Sequence, residues 1–306
     1  MNFEKLNLEN IENNKETEKN IYKKARKHAD LFLENIDFAK DEEIVEINPE
    51  NPKDNTPVFV SPGWGVEKAN KSMIQTLETL ANEERSVITT SFEREEKIIE
   101  SGNIEDIPIA ELQKALTIIE AINKKELDKV DGIGHSEGGL NLALAASLYP
   151  EKFRNLVFIA PAGMMGKKDS LPDLIKRFAI DEGINEIKNR KDSNINSFYN
   201  YIKNIIKYVS KNPSLALKEG KEINNVDIFE MFKHLKEQGI GVGLVCGAHD
   251  KVFPIEKVLK NTDEESIDYL ISTKGHHGSF VLNEDHVLLA ENLLTNMAKK
   301  KELKSN

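Results

Sequence analysis

Ser136 stands in the stretch GHSEGG, residues 134–139, with Gly134 two positions before it and Gly138 two positions after. An apolar run, VDGIG (130–134), leads in, and the small-residue, helical stretch GLNLALAASLYP (139–150) leads out until Pro150 stops it. A serine on a strand-to-helix turn has a strained backbone and open space around its side chain, and glycines on either side permit that turn. At a helix N-terminus its oxygen meets free N–H groups and the positive end of the dipole, which favour a developing anion. A hydroxyl is a weak nucleophile until a base removes its proton. The chemistry therefore needs a histidine, and the histidine needs a carboxylate to hold its tautomer.

The chain has 7 histidines. His28 and His234 fall in helical patterns, His286 lies inside the last helix, and His135 would point away from Ser136 if it extends the strand. His276 and His277 follow the apolar run IDYLIST (267–273) and Gly275, in a loop. His276, directly after the glycine, is preferred as the base, with His277 as the alternative. The run VGLVCG (242–247) leads into Ala248, His249 and Asp250, which puts Asp250 where an acid could face that histidine; an aspartate that caps a turn is the other reading. The stretch VFVSPGWGV (58–66) leaves a strand through glycines that can turn a backbone N–H toward a reacting carbonyl. The N–H groups of Trp64 and Glu137 are the expected oxyanion hole.

These residues need a scaffold that brings distant loops to one place. Short apolar runs at 58–60, 86–92, 130–134, 155–161, 242–247 and 267–273 alternate with helical periods. Continuous apolarity suits strands covered on both faces, and intervening helices are what parallel crossovers require. Ala69, Met73, Leu77 and Leu80 make one helical stripe; Ile109, Leu112, Leu116 and Ile119 make another, opened by Pro108. The expectation is an α/β protein with a mostly parallel sheet flanked by helices. In such sheets ligands gather beyond the carboxyl ends of the strands, where all the residues above fall.

About 80 residues separate the runs at 155–161 and 242–247, more than one crossover needs, and their periodicity is helical. Phe198, Ile202, Ile205 and Val209 form one stripe there; Val226, Phe229, Phe232 and Leu235 form another, part of which leads into the next strand. Residues 164–224 are accordingly expected to be an inserted helical cap, with 57–163 and 225–306 as the core. Residues 1–56 are expected to be a helical N-terminal extension: Tyr22, Ala25, Ala29, Phe32 and Ile36 share a helix face that should dock on the domain, and residues 42–47 suit a short strand.

A net charge of −10 argues against phosphate backbones or anionic lipid as the main partner. The single cysteine, Cys246, cannot form an internal disulfide, and the polar N-terminus has no secretion signal, so a cytoplasmic location is expected. No run is long enough to span a bilayer. No His/Cys cluster suggests a metal and no cofactor is expected; GMMGKK (163–168) has too few residues between its glycines for a phosphate loop and lacks the following Ser/Thr.

Taken together, the stretch from about residue 57 to 298 resembles the α/β-hydrolase superfamily. The matching pieces are GHSEGG for the nucleophile elbow, PGWG for the oxyanion loop, GAHDKVFP for the acid loop and GHHGSF for the histidine loop. The resemblance implies the α/β-hydrolase fold with an inserted cap, and serine-dependent hydrolysis through an acyl-enzyme, usually of esters, sometimes of thioesters or amides. An apolar group in a small-molecule substrate is expected from Met164, Met165 and the apolar stripes of the cap. An acyltransferase using the same triad, or a noncatalytic small-molecule binder, are the alternatives.

Overall fold

In the computed structural model each of the six apolar runs becomes a strand, and a seventh precedes them. The structure describes residues 21–64, 71–92, 107, 109–165, 173, 176–181, 210, 213–277 and 284–305. The strands are β1 (Ile44–Ile47), β2 (Asp54–Ser61), β3 (Arg85–Thr90), β4 (Val130–His135), β5 (Phe153–Ile159), β6 (Gly241–Gly247) and β7 (Tyr269–Thr273). They form one sheet in the order β1-β3-β2-β4-β5-β6-β7, parallel throughout except that β1 runs antiparallel to β3. The helices are α1 (residues 21–35), α2 (Lys71–Asn82), α3 (Ile109–Lys124), α4 (Glu137–Leu148), α5 (Pro213–Asn225), α6 (Ile228–Glu237), α7 (Ile255–Asn261) and α8 (Glu284–Ser305).

The order of strands places the site. From β2 the chain crosses to β3 on one side, then returns past β2 to β4 and continues outward to β7 on the other. Chains leaving the carboxyl ends of β2 and β4 therefore diverge, and in sheets of this kind that switch point is where ligands gather. The register keeps the strand ends level: Ser61 lies opposite Gly134, His135 opposite Ile159, and Gly247 opposite Thr273.

Helix α4 is apolar around most of its circumference, with a mean composition of alanine and leucine, and all twelve of its residues are buried. A helix of that kind needs cover on every side, and α4 obtains it from the sheet, from α3 and from α6. Met73, Leu77 and Leu80 of α2 and Leu112, Leu116 and Ile119 of α3 are buried as their spacing implies, as are Val226, Phe229, Phe232 and Leu235 around α6. Ala69, Pro108 and the stripe Phe198, Ile202, Ile205 and Val209 lie outside the described residues, as does much of the expected cap. Within that segment the structure describes a π-helical turn, Arg177–Asp181, and α5; α5 gives way to α6 at Asp227, whose carboxylate caps α6 by accepting from Phe229 N at 3.0 Å.

Helix α1 docks as its face implies. Ala25 and Ala29 are buried, Tyr22 stacks on His234 at 4.4 Å between ring centroids, and Arg26 lies 4.5 Å over the Tyr149 ring. Tyr149 donates to Asp30 at 2.7 Å. At the amino ends of the strands, fully buried Arg85 pairs with Asp131 and Glu291, both at 2.9 Å, and donates to Thr56 O. Among the described residues no helix is long and apolar enough to cross a membrane.

Candidate active site

The turn from β4 into α4 holds Ser136 at φ 53°, ψ −124°, a left-handed conformation that costs a non-glycine residue on the order of 1–3 kcal/mol. Three backbone bonds stabilise it: Ser136 N donates to Ile159 O at 3.0 Å, and Ser136 O accepts from Gly139 N at 3.0 Å and Ala162 N at 2.8 Å. The neighbouring glycines serve a different purpose from the one their spacing suggests, since neither Gly134 nor Gly138 has positive φ. They provide clearance. A Cβ on Gly138 would come within 2.2 Å of Pro62 O and 2.3 Å of Ser61 O, and one on Gly134 within 2.6 Å of Gly139 Cα. The strain is carried by the serine, and the glycines let strand, helix and the loop after β2 close around it.

Ser136 Oγ lies 3.0 Å from Nε2 of His277, whose Nδ1 lies 2.9 Å from Oδ2 of Asp250. A carboxylate only accepts, so Nδ1 carries the proton and donates to Asp250, and Nε2 is left to accept from the serine hydroxyl. The other oxygen of Asp250 accepts from Val252 N and Phe253 N, both at 2.8 Å, which fixes the carboxylate in the turn after β6. The Phe253 ring stands edge-on to the imidazole at 5.1 Å. Asp250 thus caps its turn with one oxygen and faces His277 with the other.

The histidine in contact is His277, and the preference for His276 is corrected. Both lie in the loop after β7, which is held to the loop after β6 by bonds from Ala248 N to Thr273 O at 2.7 Å and from His249 N to Gly275 O at 3.1 Å. Which of two adjacent side chains turns inward depends on the path of that loop, and here the second does. His277 is buried; His276 is half-buried on the His286 side, where it adds to the burial that holds His286 below the usual histidine range.

His135 is a residue that sequence reasoning set aside. Although it ends β4, its Nε2 donates to the backbone carbonyl of His277 at 3.1 Å, and the two rings lie 5.2 Å apart. Burial, followed by the neighbouring His277, pushes its pKa down to about 3, so it is neutral at ordinary pH. Cys246, near the end of β6, offers no rival nucleophile: burial, reinforced by the Asp250 charge, pushes its thiol up to about 12.

The loop after β2 lies directly against this group. A Cβ on Gly63 would sit 3.2 Å from Ser136 Cβ and 3.0 Å from His135 Nδ1, so the segment leading to Trp64 runs beside the serine. Glu137 opens α4, and its N–H is one of the first-turn donors without a partner inside the helix. Met164 is fully buried in the core, and Met165 is partly buried against it. Gly65 and residues 278–280, the ends of the expected oxyanion and histidine loops, lie outside the described residues. Among the described residues no cluster of three metal-ligating side chains occurs.

No family's sequence profile matches the chain, and no curated protein matches it in sequence. Solved structures do match in shape. A carboxylesterase from the thaumarchaeon Nitrososphaera gargenis superposes with a TM-score of 0.59 at 15% identity, over 84% of this chain and 95% of that one. The meta-cleavage product hydrolase of Pseudomonas fluorescens gives 0.58 at 18% identity, over 83% and 94%. A bromoperoxidase from Bacillus anthracis gives 0.56 at 17%, over 85% and 99%. The chain has the α/β-hydrolase fold. In this α/β-hydrolase fold Ser136, Asp250 and His277 follow β4, β6 and β7 in turn, at the carboxyl rim of the sheet.

Proposed function

We propose that the protein is a serine hydrolase that cleaves an ester, thioester or amide bond of a small substrate through an acyl-enzyme. The observation that carries the reading is the continuous hydrogen-bond path from Ser136 Oγ through His277 to Asp250, at 3.0 and 2.9 Å, ending in a serine held strained at a helix N-terminus. Ser136 Oγ attacks the acyl carbon as His277 Nε2 takes its proton, and the imidazolium is stabilised by Asp250. Charge gathers on the carbonyl oxygen, where the N–H groups of Trp64 and Glu137 are the expected donors. Collapse expels the alcohol, thiol or amine with the proton from His277. Water, deprotonated by the same imidazole, then releases the acid.

His135 holds the base in place through the His277 carbonyl without entering the proton path. The shapes of the relatives support a hydrolase; the carboxylesterase among them favours the ester reading. An esterase of this kind labels with a fluorophosphonate at Ser136 and hydrolyses p-nitrophenyl esters of some chain length, and Ser136→Ala does neither. His277→Asn and Asp250→Asn should each lower kcat by at least about 10³-fold, since each removes a member of the triad. His276→Asn should stay within about tenfold of the parent, as expected when no catalytic proton passes through the mutated side chain. Full activity in Ser136→Ala, or a larger loss at His276 than at His277, would overturn the assignment.

A further inference from the structure

Helix α5 sends Glu219 into the core beside the nucleophile turn, where the side chain is 1% exposed. Its two carboxylate oxygens bind different partners. Oε2 accepts from the indole Nε1 of Trp64 at 3.0 Å, and Oε1 pairs with Nζ of Lys114 on α3 at 3.1 Å. The same ammonium donates to Glu137, the residue after the nucleophile, and lies 3.4 Å from Glu111 one turn back on α3. Lys114, Glu111 and Glu137 are all nearly inaccessible. A chain of charge-assisted bonds therefore runs from Trp64 through Glu219 and Lys114 to Glu137. Its two ends are the side chains of the two residues whose backbone N–H groups are the expected oxyanion donors.

Burying several carboxylates around one ammonium is a poor route to stability, because desolvation offsets much of the attraction and well-packed apolar side chains serve as well or better. What such a cluster supplies is direction. A carboxylate that splits its oxygens between two partners sets the distance between them, and a hydrogen-bonded indole has its ring orientation restricted. The loop after β2 has glycines on both sides of Trp64, so little else in its covalent structure limits where the Trp64 N–H points.

Resting on the hydrolase reading above, we infer that Glu219 is a positioning residue. From α5 it braces the Trp64 loop against Lys114 and Glu137, and so holds the two oxyanion donors at a working separation. The segment inserted between β5 and β6 thereby acts on the chemical step, with no need for Glu219 to touch the substrate.

The test uses the full chain with a p-nitrophenyl ester. The parent and Ser136→Ala come first: activity independent of Ser136 would end the hydrolase reading, and this inference with it. Given Ser136-dependent turnover, Trp64→Phe removes the indole donor and keeps a ring, and Glu219→Ala removes the bridge. Each should lower kcat by about tenfold or more with KM changed less than about twofold, since loosening a donor should cost less than the roughly 10²–10³-fold seen when one is removed outright. Glu219→Gln, which can still accept from Trp64, should recover part of the loss. A boronic acid that forms a tetrahedral anion on Ser136 should weaken by the same factor as kcat/KM. Because both residues act through one bridge, the Trp64→Phe/Glu219→Ala pair should be no slower than the worse single variant. Melting curves identify any variant that fails to fold; should Glu219→Ala be one, Trp64→Phe and Glu219→Gln decide. With Ser136-dependent turnover intact, kcat within twofold of the parent in Trp64→Phe and in the folded Glu219 variants, losses confined to KM, or multiplying losses in the pair would refute the positioning role alone.

Discussion

Acid should weaken this fold through one identifiable side chain, His135. It is buried at the end of β4, donates from Nε2 to the His277 carbonyl, and has its pKa pushed from 6.5 to about 3, by burial first and then by His277 and His286. The folded state thus keeps the ring neutral while the unfolded chain protonates it near 6.5. Unfolded chains bind the extra proton between those two values, so the contribution is intact above pH 6.5 and is lost as pH falls toward 3, with a slope of about 1.4 kcal/mol per pH unit. From pH 7.5 to 5.0 the loss integrates to about 2 kcal/mol. With roughly 2.1 cal/mol/K of unfolding entropy per residue, that is a melting-point drop of about 3 °C for a chain of 306 residues. His135→Gln supplies an amide N–H in the place of Nε2 and cannot titrate. Carboxylates and the other histidines contribute to both proteins alike, so the difference between their pH dependences isolates His135. Melting followed by circular dichroism at pH 7.5 and 5.0 should show a drop smaller by about 3 °C in the variant. Equal drops, within about 1 °C, would refute the view that folding holds this ring neutral.

Two further outcomes follow from the packing. Gly138→Ala places a methyl group against the Ser61 and Pro62 carbonyls, neither of which is a flexible side chain; the loop must shift, so kcat should fall by about 10²-fold and stability by about 1–3 kcal/mol. Near-parent kinetics would show that the loop can yield. Arg85→Met leaves Asp131 and Glu291 buried without their shared partner, although Arg154 still reaches Asp131 and Lys53 lies 3.5 Å from Glu291. Chemical denaturation should show a loss of about 3 kcal/mol, with kcat in the folded fraction unchanged, because this cluster lies at the opposite end of the sheet from Ser136.

The order of residues was sufficient for the α/β class, the six parallel strands and the positions of the helices α1 to α4 and α6, because burial on both faces of a strand and on one stripe of a helix imposes periods that a single chain displays. It also put Ser136 and Asp250 just beyond strand ends, since each sits where an apolar run ends and a turn begins. Three matters needed the folded chain. The path of the loop after β7, held by Ala248 and His249, turns His277 inward and leaves His276 half-buried; side chains of adjacent residues share every local signal and differ only in which way the backbone aims them. The purpose of Gly134 and Gly138 became legible only with the carbonyls of Ser61 and Pro62 and the backbone of α4 beside them, since a close approach is a property of two segments and the pattern belongs to one. His135 reaches the His277 carbonyl across 142 positions of sequence, and Glu219 reaches Trp64 across 155. Bonds of that reach are set by how strands and helices pack in three dimensions, which is why no spacing along the chain announces them.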